Sequence, residues 1–161
     1  PTPSVKVGAI RVVSDSTGAG SSLGEAMKEW KTIERRVLEE DTQRITVEIP
    51  NAQDVMLVFY GRENNVEDNL PGNNGSDSTN INGTTVINCN VTYIRPLGGN
   101  FYTFIYAKVI NGYLDGCVRP KGNTQQHNFS KTDANIDSIH SIGIVSNNYF
   151  KKDSWVEVYY K

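Results

Sequence analysis

The chain has 161 residues, 37% of them hydrophobic, with 16 basic against 18 acidic side chains and a formal net charge of −2. That is one domain's length, with enough apolar residues to bury a sizeable core. No charge run gives the basic footprint of a nucleic-acid binder, and no apolar stretch approaches the roughly 18 residues of a membrane-spanning helix.

Residues 5–13, Val-Lys-Val-Gly-Ala-Ile-Arg-Val-Val, read as a strand, and the Ser- and Gly-rich stretch from Ser14 to Gly24 reads as a flexible connector. The strand either closes the main sheet or ends an upstream oligomeric module. A connector of about ten residues is generous for a compact sandwich, which favours the second reading. Residues 1–24 are therefore set apart from a domain over 25–161. Trp30, Ile33, Val37 and Leu38 have helical spacing among good helix formers, so the residues alone predict a short helix within 25–41. Ile45, Val47 and Ile49 then alternate as a strand, and Val55-Met-Leu57-Val-Phe59-Tyr60 is a nearly continuous apolar run of strand length.

The polar residues 61–84, rich in Asn and Gly, read as a long loop. Thr85 to Tyr93, Phe101 to Ile110 and Tyr113 to Val118 are further strands. Gly98-Gly99 and Asn111-Gly112 separate them as hairpin signals, the second of the type I′ sort. A second polar loop, Arg119 to Asp133, leads to two closing runs. In the first, Ile142 and Ile144 share a face; in the second, Val156, Val158 and Tyr160 do. Seven or eight strands, at most one short helix and no internal repeat predict an all-β antiparallel sandwich, with residues 155–160 paired on both sides.

The closing stretch also carries a resemblance. Ile139-His-Ser-Ile142-Gly-Ile144, then Phe150, then Asp153-Ser154-Trp155-Val156-Glu157-Val158-Tyr159 resembles a pattern common at the ends of bacteriophage tail and baseplate proteins. There an I-x-S-I-x-I strand leads, through a turn and a Phe, to G/D-S-x-hydrophobic-x-hydrophobic-Tyr. Trp30, Ile33, Val37-Leu38, Glu40-Asp41 and Ile45 to Ile49 fit the same family's order, which implies a strand after Lys31 in place of the helix. The likeness spans residues 28–161 and implies a jelly-roll β-sandwich head domain of a tail fibre or baseplate. It further implies a non-enzymatic homotrimer, held in the virion with other virion proteins, that binds a host-surface polysaccharide or protein receptor. Asp153 departs from the usual Gly, and Asp also serves in turns. A carbohydrate-binding or adhesion module of a secreted bacterial protein shares the fold type and is the competing reading.

No catalytic constellation is present: no G-x-S-x-G elbow, H-E-x-x-H, Walker loop or paired C-x-x-C. His127 and His140 lie in different elements without partners at ligand spacing, and His140, alternating with Ile142 and Ile144, reads as a structural imidazole. The acids sit mostly in turns. Neither an enzyme, a metal site nor a cofactor is expected. Cys89 and Cys117 fall in strand-like surroundings and read as unlinked thiols, as the resemblance to a protein matured in a reducing cytosol also implies. Surfaces are more informative. Tyr102, Phe104, Tyr106 and Lys108 alternate with a core-like face, and Trp155, Glu157 and Tyr159 lie opposite Val156 and Val158. With Tyr113 and His127, the residues Tyr102, Phe104, Tyr106, Trp155 and Tyr159 are the candidate ligand-binding set. Packing, an intersubunit contact and a sugar-stacking platform all remain open for them. Loops 61–84 and 119–133, which set Asn, Gln and Asp beside Tyr and His, are expected to contribute.

Overall fold

The computed structural model describes residues 30–62, 77–89, 100–120 and 126–161. Alternation organises them. In Ile45-Thr-Val47-Glu-Ile49 and Val55-Met-Leu57-Val-Phe59 every odd residue is buried, as expected of strands with one face on a core. Ten strands result: β1 (Lys31–Val37), β2 (Thr42–Ala52), β3 (Asp54–Arg62), β4 (Ser78–Ile81), β5 (Thr84–Asn88), β6 (Asn100–Ile110), β7 (Tyr113–Pro120), β8 (His127–Lys131), β9 (Ile139–Phe150) and β10 (Trp155–Tyr160). No helix occurs among the described residues.

All neighbours are antiparallel, in one six-stranded sheet, β1-β10-β3-β6-β7-β8, and one four-stranded sheet, β2-β9-β4-β5. The chain changes sheet between β1 and β2, β2 and β3, β3 and β4, β5 and β6, β8 and β9, and β9 and β10. With the β7–β8 extension set aside, β1-β10-β3-β6 facing β2-β9-β4-β5 is the strand order of a jelly roll. The inward faces meet in one core: Val55, Leu57, Phe59, Ile105, Val118, Val156 and Val158 from one sheet, Ile45, Val47, Ile142 and Ile144 from the other. Phe59 and Phe150 join the two sheets with ring centroids 5.2 Å apart. Each fully buried large side chain here contributes about 1.5–3 kcal/mol.

The first described element is a strand. Of β1 only Ile33 packs on the core, while ladder pairing with β10 keeps the segment extended along the sheet edge. That pairing outweighs a weak helical preference. β9 and β10, adjacent in sequence, belong to different sheets, and β10 lies between β1 and β3. The crossing is held by Leu38, whose N–H donates to Ser154 O (2.8 Å) and whose carbonyl accepts from Asp153 N–H (2.9 Å). Asp153 adopts φ 74°, a left-handed conformation that Gly meets without strain and Asp tolerates, so the departure from Gly is accommodated.

The expected strand count of seven or eight is too low. The stretches read as loops at 61–84 and 119–133 contain the end of β3, β4 and its turn, and the end of β7 and β8. Ser78-Thr-Asn-Ile81 and His127-Asn-Phe-Ser-Lys131 are short and mostly polar; pairing to β9 and to β7 makes them strands. The Asn111-Gly112 turn forms as expected, with φ 50° and 82°, and Asn82-Gly83 forms a second one, with φ 52° and 81°. Cys89 is buried and Cys117 half-buried, and both are free thiols. The expected strand at 5–13, the connector to Gly24, residues 63–76, the Gly98-Gly99 hairpin signal and residues 121–125 lie outside the described residues.

Candidate functional site

The site is built across four strands by register. Residues directly opposite in paired strands share a face. Val37, Trp155, Tyr60 and Tyr102 pair successively across β1, β10, β3 and β6. The next row runs Glu157, Val58, Phe104 and Arg119, and the one after runs Tyr159, Met56, Tyr106, Cys117 and Asn128. All three rows lie on the outer face of the six-stranded sheet, opposite the core.

The rings form a continuous series. Tyr60 stacks on Trp155 at 5.2 Å and lies 4.7 Å from Tyr102, which in turn stacks on Phe104 at 6.4 Å. At one end the Arg35 guanidinium sits 3.7 Å above the Trp155 ring, a cation–π contact, while its Nε donates to Glu157 Oε2 at 3.2 Å. Tyr159 Oη donates to the other Glu157 oxygen at 3.2 Å. Burial and the Glu157 charge both push the Tyr159 phenol upward. Trp155 is therefore braced between Arg35 and Tyr60. The free ring area is at the other end, where Tyr102 and Phe104 are 38% and 42% exposed. Val58, also on this outward face, is only 8% exposed, because the surrounding side chains close over it.

Below the rings the surface becomes polar. Tyr106 Oη donates to Asp54 Oδ1 at 2.9 Å, and Lys108 Nζ lies 3.4 Å from the same oxygen. Burial first, and then the neighbouring Asp54 carboxylate, push the Tyr106 phenol up to about 12. The tyrosine thus remains neutral and its hydroxyl remains a donor. The chemistry available on this face is stacking, apolar contact and hydrogen bonding. Among the described residues no three His, Cys, Asp or Glu side chains converge as a metal site would require.

Five of the seven candidate residues come together here: Tyr102, Phe104, Tyr106, Trp155 and Tyr159. Tyr113 shares the face but stands apart at the β6–β7 tip, paired with Ile110. His127 does not join them. Its partner is the fully buried Val118, so it lies on the core-facing side of the sheet at the β8 edge. His140, which alternation with Ile142 and Ile144 made a structural imidazole, is exposed at the start of β9. Tyr60, Val58, Arg35 and Val37 belong to the site and escaped the sequence reading. The signal for the first two is that β3 is apolar at even and odd positions alike, so both of its faces call for cover.

Apart from this face, a cleft of about 210 Å³ opens beside β5, lined by Ile81, Val86, Leu114 and Ile136 with Lys131 and Asp133. It is smaller than the roughly 300–1,000 Å³ of ordinary small-molecule sites. Compared with known proteins, the chain matches no family model and no curated protein sequence.

Proposed function

We propose that this domain is a non-catalytic attachment module that binds a host-surface polysaccharide through the outer face of its six-stranded sheet, within a bacteriophage tail fibre or baseplate. One observation carries the reading: four strands align Trp155, Tyr60, Tyr102 and Phe104 into one aromatic surface whose Tyr102–Phe104 end is open to water. Ring faces of that kind stack on the C–H faces of sugars, and the Tyr106, Asp54 and Lys108 groups alongside offer donors and acceptors to hydroxyls. The phage assignment rests on the sequence resemblance, and the jelly roll is the fold that resemblance implies. Three copies on one fibre supply avidity to individually weak sites.

The test is binding to immobilised bacterial polysaccharides and to cells, with wild type beside Tyr102→Ala/Phe104→Ala. The double variant loses binding at least about tenfold, equivalent to 1.4 kcal/mol, with little change in melting temperature. Unchanged glycan binding sinks the assignment of this face. Light scattering on the same samples reads the copy number: loss of mass together with binding makes the face an interface between copies, whereas loss of binding at constant mass makes it the receptor site.

A further inference from the structure

Two Asn-Gly turns share one backbone conformation and differ in what holds the asparagine. Asn82 and Gly83 have φ 52° and 81°; Asn111 and Gly112 have φ 50° and 82°. A Cβ built on either glycine meets no heavy atom within 4 Å, so neither glycine is crowded, although the Gly112 carbonyl accepts from Ile136 N–H at 3.4 Å. The side chains are where the turns diverge. Asn82 Nδ2 donates to Ser138 O at 3.0 Å, and Oδ1 accepts from the N–H groups of His140 at 2.8 Å and Ser141 at 3.2 Å. Its own N–H donates to Ser141 O at 3.0 Å. The carboxamide is thereby bound to the entry of β9. Asn111 is exposed at the tip of the β6–β7 hairpin, and among the described residues no hydrogen bond holds its side chain.

We propose that Asn111 is a site of spontaneous deamidation and that the 138–141 segment protects Asn82 from the same reaction. The Gly112 main-chain nitrogen, giving up its proton to solvent base, attacks Asn111 Cγ. The N–Cγ bond forms, the Cγ–Nδ2 bond breaks, and ammonia leaves with the proton that solvent returns, closing a succinimide ring. Water then adds to one of the two ring carbonyls, yielding aspartate or isoaspartate. The net change is amide plus water to acid plus ammonia, with no redox step. A glycine next in sequence favours it because no side chain hinders the attacking nitrogen. For Asn82 the same attack requires Cγ to turn out of three hydrogen bonds, each of which would leave a polar group unpaired. The product puts a new carboxylate next in sequence to Ile110, whose exposed side chain lies with that of Tyr113 on the side of the sheet that carries the aromatic surface.

The full chain is aged in mildly alkaline buffer, natively and in urea, and peptide mapping by mass spectrometry locates the acid product in each. The native protein is expected to gain acid at Asn111, as an aspartate and isoaspartate mixture, at least about tenfold faster than at Asn82, the cost of three hydrogen bonds being removed only on unfolding. In urea the two rates converge. Asn111→Gln removes the native product at that position. Equal native rates at the two positions, or an Asn111 that stays intact while Asn82 reacts, overturn the proposal. An Asn82 still slow in urea also overturns it, since sequence rather than the fold would then be protecting the residue.

Discussion

The two outer faces of the sandwich meet the same solvent with opposite chemistry. On the four-stranded sheet Arg44, Thr46, Glu48, Asn80 and Thr85 point outward, around Gly143. On the six-stranded sheet the corresponding positions carry Trp155, Tyr60, Tyr102, Phe104 and Tyr106. Both sheets are anchored by the same core, so folding alone does not require the aromatics. A polar outer face suffices for one sheet; the other sheet's rings are an addition, and such contiguous apolar patches mark interaction surfaces. That contrast is the physical reason for locating function on one sheet.

The contrast is sharpest on β10, whose Val156 and Val158 are core and whose Trp155 and Tyr159 are surface. Ending the chain after Ser154 removes both sets and a strand paired on two sides. The expected outcome is loss of the cooperative thermal transition by circular dichroism, since two buried valines and a central ladder are a large part of a typical 5–15 kcal/mol. A truncated protein that still melts cooperatively breaks the claim that this strand ties face to core.

A smaller but purely inward perturbation is Gly116→Ala. An added Cβ would collide with the Tyr106 carbonyl and lie 2.5 Å from the Phe129 ring. Overpacking of that kind costs about 1–3 kcal/mol, read by denaturant titration, and should leave glycan binding per folded molecule intact. The mirror experiment on the outer faces sets Thr46→Ala/Thr85→Ala against Tyr102→Ala/Phe104→Ala. Each pair shifts stability by roughly 1 kcal/mol or less, and only the aromatic pair loses binding; equal loss in both would erase the distinction between the sheets.

Arg35→Ala tests whether bracing matters. The Arg35–Glu157 pair is well exposed, 48% and 25%, so together with the ring contact it contributes only about 0.5–1 kcal/mol. Its larger signature is a changed Trp155 emission spectrum. The smallest effect is alkaline. Because the folded Tyr106 phenol titrates near 12 and an unfolded one near 10, its contribution is whole below about pH 10 and is lost as pH rises toward 12. Asp54→Asn removes the accepting carboxylate and should move the phenolate absorbance transition downward; an unmoved transition would mean that burial alone sets it.

Much of this architecture was legible from residues. The alternation in β2, β6 and β10, where β-branched and aromatic residues recur every second position, and the strand-length apolar run of β3 mark strands, and Asn111-Gly112 specifies its turn chemically. β4 and β8 were not legible: one has Ile81 and the other Phe129 as its sole large apolar residue, and only neighbours supply the reason to extend. The same limit governs the site. Alternation identifies Tyr102, Phe104 and Tyr106 as one face of β6 and Trp155 and Tyr159 as one face of β10. It does not say that β3 lies between them, which is what brings Tyr60 into contact with both rings. His127 likewise required knowledge of its partner, Val118, before its side of the sheet could be assigned.

The placement of β9 and β10 at interior positions of different sheets has a kinetic consequence. β9 separates β2 from β4, and β10 separates β1 from β3. Until residues 139–160 emerge from the ribosome, those four strands each present an open hydrogen-bonding edge, so neither sheet can close before that stretch is made. Pairings of β1 with β10 and β2 with β9 join distant parts of the sequence, a high contact order that slows folding. The nascent chain therefore carries its aggregation hazard, exposed edges and an uncovered core, until residues 139–160 have been made, and relief comes to both sheets from one short stretch of polypeptide.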